Sequence, residues 1–162
     1  MLWDQGLYPI ARWGIERAAG RGVRVSSFSH FAPQSLAIAL ERTLPLGLRP
    51  IVVTDGYCPG CGRNAPLEAY HAVVQRAGGT LVIDDTQAIG LVGARRGPAG
   101  AGGGGSLQRT GLGDGRVVWV ASLAKAFGAP IAALASNTVT VARFKEQSET
   151  RVHTSPPNGG SI

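Results

Sequence analysis

The feature that most constrains the fold is a series of short, uniformly apolar runs separated by helix-length segments. Pro50-Ile51-Val52-Val53-Thr54, Thr80-Leu81-Val82-Ile83 and Val117-Val118-Trp119-Val120-Ala121 are rich in β-branched residues and carry no charge. Strands that read this way, without an apolar/polar alternation, belong to sheets covered on both faces. Val23 to Phe28 alternates and reads as a further strand, as does Ile131–Ala135. Helical segments fall between them. One runs from Gly6 to Gly20, with Pro9 near its start and Gly20 and Gly22 ending it. A second opens at Pro33 and sets Leu36, Ala39, Leu40 and Leu44 on one face. A third opens at Pro66, spaces Leu67, Tyr70, Val74 and Ala77 about a turn apart, and closes at Gly78-Gly79. A last helix is expected over Val139–Glu149. Strand and helix in alternation predict an α/β fold, a mainly parallel sheet with helices on both faces.

In such sheets ligands bind beyond the carboxyl ends of the strands. Thr54-Asp55, Asp84-Asp85 and the segment Ser122 to Lys125 all fall there, so polar groups converge on one rim. The stretch from Gly93 to Gly115 contains the run Gly97–Gly105 and reads as loop, because glycine loses most entropy on being ordered. Of its two readings, a lid over the site or a tolerated connection, the second is preferred.

Asp84 follows four apolar-leaning residues. A carboxylate beside a buried strand needs a partner, because an unpaired one costs several kcal/mol. It reads as a turn or helix cap, or as the charge that holds a cationic ring nitrogen or a metal. Lys125 stands among small and apolar neighbours in Ser122-Leu123-Ala124-Lys125-Ala126-Phe127-Gly128, in a chain whose only other lysine is Lys145. An ordinary surface lysine is one reading. The other is a partly desolvated amine, freed as a nucleophile by a lowered pKa.

The net charge of +6 comes almost wholly from scattered arginines, which argues against a nucleic-acid partner. No apolar run approaches the ~20 residues of a membrane span, and the first residues lack the build of a signal peptide, so a cytoplasmic protein without membrane contact is expected. There is no P-loop lysine motif and no Gly-x-Ser-x-Gly elbow. Cys58-Pro59-Gly60-Cys61-Gly62 has the form of a zinc knuckle. A structural zinc site needs four ligands, however, and neither His30 nor His71 has the usual spacing. No metal is expected, and a zinc-binding module through Cys58 and Cys61 is the least favoured reading.

Ile83-Asp84-Asp85-Thr86-Gln87-Ala88-Ile89-Gly90 resembles the Asp-x-Ala-His-x-x-Gly signature of fold-type I pyridoxal-5′-phosphate (PLP) enzymes. Within these it is similar to the α-oxoamine synthase branch. Ser122 to Gly128 resembles that branch's Thr/Ser-x-x-Lys-Ala-x-Gly. Val53-Thr54-Asp55-Gly56, followed by Ala65-Pro66-Leu67, matches its Val-Thr-Glu-Gly and Ala-Pro-Leu in spacing. Asp4 and Gly14 match an earlier Asp…Gly pair; Tyr8 stands where the family has a histidine. The chain departs from the family at Pro59-Gly60-Cys61-Gly62-Arg63, where the family has Ser-Met-Asp-Gly-Asp.

The resemblance implies PLP as cofactor and Lys125 as the Schiff-base lysine that later moves the substrate's α-proton. It implies Asp84 as partner of the pyridinium nitrogen and Ser122 as a phosphate ligand. Gln87 takes the place of a histidine near the ring; it can hydrogen-bond there but cannot titrate. Tyr8 would stack on the ring face. Asp55 replaces a glutamate, as a substrate contact or a second layer behind the site. The implied activity is a transferase acting on a small amino-acid substrate, either acyl transfer from an acyl-CoA or amino transfer, in a homodimer. Residues 1–155 are expected to form part of a PLP-binding large domain and 156–162 to begin a hinge towards a C-terminal domain. The alternative is a truncated, non-catalytic remnant that at most binds PLP.

Overall fold

The computed structural model describes residues 1–94, 102–152, 157 and 159–161. Its strands are β1 (Leu2–Asp4), β2 (Ser26–Phe28), β3 (Ile51–Asp55), β4 (Tyr57–Cys58), β5 (Arg63–Asn64), β6 (Thr80–Asp84), β7 (Val117–Ser122) and β8 (Ala132–Ala135). The helices are α1 (Pro9–Gly20), α2 (Pro33–Glu41), α3 (Leu67–Arg76), α4 (Gly105–Thr110), α5 (Ala124–Phe127), α6 (Thr138–Gln147) and α7 (Glu149–Val152). The main sheet runs β2-β1-β3-β6-β7-β8, and β4 and β5 form a separate hairpin. Every pairing in the main sheet is parallel except β7 with β8. The expected mainly parallel α/β sheet is therefore what the chain forms.

The pairing register sorts the sheet into two faces. Leu2, Val52, Leu81 and Val117 lie in one row across β1, β3, β6 and β7. They are buried together with Phe28, Leu36, Leu40, Leu67, Tyr70 and Val74, so α2 and α3 cover this face. The Phe28 and Tyr70 rings meet edge to face at 5.5 Å, a geometry worth ~0.5–1.5 kcal/mol beyond the area it buries. The next row, Trp3, Val53, Val82 and Val118, points to the opposite face and is only half-buried.

Several elements differ from the sequence reading. β1 has three residues, too few for any periodicity to show. β2 starts at Ser26, not Val23, because β1 offers only Leu2–Asp4 to pair with. Leu44 lies in a 3-10 turn beyond α2 and is exposed. The 93–115 stretch is not wholly loop: residues 97–101 of the glycine run lie outside the described residues, but Gly105 opens α4. That helix is held because the Ser106 N–H donates to the buried Asp85 carboxylate at 2.7 Å. The lysine-bearing segment Ser122–Gly128 contains the four-residue α5.

Candidate functional site at the carboxyl rim of the sheet

β3, β6 and β7 end at Asp55, Asp84 and Ser122, so their carboxyl ends share one rim. Asp55 pairs with Asp84, and Asp84 with Val120. Because side chains alternate along a strand, Asp55, Asp84, Val120 and Ser122 all project from the half-buried face, away from the α2–α3 core. The polar rim is thus set on the side of the sheet that this core leaves open.

Thr86 ties the rim together. Its N–H donates to Asp84 Oδ1 at 2.9 Å, and its hydroxyl oxygen accepts the Ser122 N–H at 2.9 Å. One residue therefore fixes the Asp84 carboxylate and the end of β7 against each other. Sequence reasoning did not single out Thr86; a small hydroxyl in a turn carries no distinctive signal. Asp85, the other half of the acidic pair, is fully buried and points the other way. Its Oδ2 accepts the Ser106 N–H and the Trp119 Nε1–H, at 2.7 and 2.9 Å. The two carboxylates have separate tasks: Asp84 faces the open rim and Asp85 braces the β6–β7 connection. Gly56 is needed beside it, since a Cβ there would stand 2.0 Å from Asp85 Oδ1 and 2.2 Å from Ser106 Oγ.

Tyr8 enters from the turn after β1. Its N–H donates to Asp55 Oδ2 at 2.9 Å. Burial, with the Asp84 charge beside it, raises Asp55 to about 7, while the Tyr8 N–H acts in the opposite direction. Lys125 lies in α5, immediately past β7, and its Nζ stands 4.3 Å from the centroid of the Tyr8 ring. β1 and β7 are separated by β3 and β6, about 14 Å at the ordinary strand spacing. The lysine and the tyrosine therefore reach towards each other across the ends of β3 and β6, where the two carboxylates sit. Lys125 is exposed, because α5 is short and the described residues leave its outer side uncovered.

Ser122 is half-buried, and its Oγ accepts a long 3.4 Å hydrogen bond from the Ala124 N–H. Gln87 is half-buried in the turn beyond Thr86. No hydrogen bond ties its side chain to the other rim residues among those described. Lys125, Tyr8, Asp55, Asp84 and Ser122 are brought together; Gln87 is near in sequence but not joined to them.

A second polar cluster lies at the neighbouring ends of β1 and β2. Asp4 is buried and accepts from Gly6 N–H, Phe31 N–H, the His30 ring and the Tyr70 hydroxyl. Cys58 and Cys61 lie on the β4–β5 hairpin, and the Cys61 sulfur is 3.4 Å from His30 Nε2. Hydrogen bonds from the Arg63 guanidinium and from His30 lower the Cys61 thiol to about 6. No spacing along the chain joins His30 to these cysteines, because sheet pairing and not local chain geometry brings them together.

The fold is that of the large domain of PLP-dependent transferases. A high-resolution structure of SPT with PLP superposes with a TM-score of 0.80 at 22% identity, covering 96% of this chain and 37% of that one. Serine palmitoyltransferase from Sphingomonas wittichii gives 0.77 at 22% identity, covering 96% and 36%. In sequence, the 8-amino-7-oxononanoate synthase of Pseudomonas paraeruginosa is 33% identical over 139 residues, 84% of this chain and 32% of that enzyme. Its counterpart in Pseudomonas aeruginosa is 38% identical over 108 residues, 66% of this chain and 24% of that enzyme. No family model matches. The chain is similar in sequence to these 8-amino-7-oxononanoate synthases and spans about a third of the length of the first of them. No helix among the described residues is long and apolar enough to cross a membrane.

Proposed function

We propose that this chain carries the cofactor-anchoring part of a PLP-dependent transferase of the α-oxoamine synthase kind. The observation that carries the reading is Lys125 Nζ over the Tyr8 ring, above the strand ends that bear Asp84 and Ser122. The donor set suits the cofactor: an amine for its aldehyde, a carboxylate for its ring nitrogen, an aromatic face for its ring and a hydroxyl for its phosphate. PLP, when bound, supplies an electron sink for a carbanion at the substrate's amino-bearing carbon.

The residues divide the remaining work. Asp84 holds the proton on the ring nitrogen, and Thr86 keeps that carboxylate aimed. Tyr8 covers the ring face, with its main chain anchored on Asp55. Ser122 would donate its hydroxyl to the phosphate, and Gln87 would offer an amide to the ring. Lys125 holds the cofactor and then moves the proton at the substrate's α-carbon. The resemblance to the α-oxoamine synthases supports acyl transfer from an acyl-CoA to an amino acid over amino transfer. A homodimer in the cytoplasm belongs to the same proposal. So do residues 1–155 as part of a large domain and 156–162 as a hinge, of which 156, 158 and 162 lie outside the described residues.

Titrating the purified chain with PLP tests this. A visible absorbance band distinct from that of free PLP is expected, lost in Lys125→Ala and retained in Lys145→Ala. A band that survives Lys125→Ala, or no band in the wild type, overturns the assignment.

A further inference from the structure

We propose that Cys58, Cys61 and His30 form a binding site for a soft divalent cation, zinc by preference, which clips the β4–β5 hairpin to the segment after β2. The three ligand atoms all lie within 4.8 Å of one another. Around a tetrahedral zinc, ordinary Zn–N and Zn–S bonds put the nitrogen and sulfur about 3.5 Å apart; His30 Nε2 and Cys61 Sγ stand at 3.4 Å. Two thiolates and an imidazole form a soft ligand set that selects zinc over magnesium or calcium. The hairpin supplies the tight turn a Cys-x-x-Cys pair requires, with the Gly62 N–H donating to the Cys58 carbonyl at 2.9 Å.

The histidine is prepared for this role from behind. Its Nδ1 is 2.6 Å from Asp4 Oδ1, and Asp4 is buried. A carboxylate on the far nitrogen fixes the tautomer so that the near nitrogen presents its lone pair, the arrangement found behind metal-bound histidines. Phe31 stacks on the ring at 3.9 Å between centroids, and the Arg63 guanidinium lies over Phe31 at 5.7 Å. On the other side the ring rests against Gly6, where a Cβ would come within 2.2 Å of Nδ1. A dithiol built only for redox exchange has no need of an imidazole held this firmly with Nε2 aimed at a sulfur. Cys61 is exposed and Cys58 and His30 are half-buried, so a fourth position is open to water or to a further ligand. Binding converts both thiols to thiolates and releases their protons to solvent.

The test is the zinc content of the tag-free chain after dialysis, with cobalt(II) as a spectroscopic substitute. About one zinc per chain is expected, with thiolate charge-transfer and tetrahedral ligand-field bands in the cobalt form. Cys58→Ser, Cys61→Ser and His30→Gln are each expected to lower retained zinc at least tenfold. His71→Gln, at a histidine paired with Asp114 elsewhere, leaves it unchanged. Cys61→His, which keeps a ligand atom in place, retains zinc, and this separates loss of a ligand from loss of the fold. Wild-type zinc no higher than in Cys61→Ser overturns the proposal. So does an intact mass two hydrogens light with both thiols unreactive, which marks a Cys58–Cys61 disulfide in its place.

Discussion

Asp55 gives the sharpest quantitative test of the rim. It is buried, faces Asp84 across one strand spacing, and accepts a single hydrogen bond from the Tyr8 N–H. Burial and the Asp84 charge raise it from an ordinary 3.8 to about 7. A folded-state pKa above the unfolded one favours folding below the unfolded value, and that contribution is lost as pH rises through the folded value. The window is therefore about pH 4 to 7. Each factor of ten in ionisation is worth ~1.4 kcal/mol, so ionised Asp55 costs the fold roughly 4 kcal/mol above pH 7, as an upper figure. That is a large share of the ~5–15 kcal/mol by which domains are stable. Asp55→Asn keeps the shape and the acceptor for Tyr8 but removes the charge. Urea unfolding across pH 4 to 8 should find the two proteins nearly equal at pH 4 and the variant more stable at pH 8. A stability difference that does not change with pH, or a variant less stable at pH 8, refutes the reasoning.

Gly56→Ala drives a Cβ onto Asp85 Oδ1 and Ser106 Oγ. A loss at or above the upper end of the ~1–3 kcal/mol typical of overpacking is expected, read as a lowered thermal midpoint. Trp119→Phe removes the indole donor from the buried Asp85 carboxylate. It should lower the urea midpoint by the equivalent of ~1–3 kcal/mol; an unchanged midpoint would mean that Asp85 does not depend on that bond. Tyr8→Phe should leave PLP affinity almost intact, whereas Tyr8→Ala should weaken it several-fold, in line with the ~0.5–1.5 kcal/mol of an aromatic stack. Equal loss in both variants would move the role from the ring face to the hydroxyl.

The parallel sheet was legible because its strands are apolar throughout and end in polar residues: Val52–Asp55, Leu81–Asp84 and Val117–Ser122 each carry both signals. Asp84, Ser122 and Lys125 could be located for the same reason, since each lies at or just beyond a strand end. What stayed hidden depends on contacts between distant segments. β1 is three residues long, so neither it nor the buried Asp4 hub announces itself. Thr86 matters only because β7 ends where its hydroxyl can accept. Asp84 and Asp85 are adjacent in the chain, and only the register shows that one faces the rim and the other the packed interior. His30 meets Cys61 through the order β2-β1-β3, which no ligand spacing along the chain encodes. Lys125 is exposed because apolar neighbours in sequence do not cover a side chain that projects from a four-residue helix.

The most direct measurement is reduction of the PLP-loaded chain with borohydride, followed by proteolysis and mass spectrometry of the peptides. The proposed function predicts one phosphopyridoxyl group, on the peptide containing Lys125, with Lys145 and the N-terminus unmodified. Label spread over Lys145 and the N-terminus, or absent from Lys125, contradicts it.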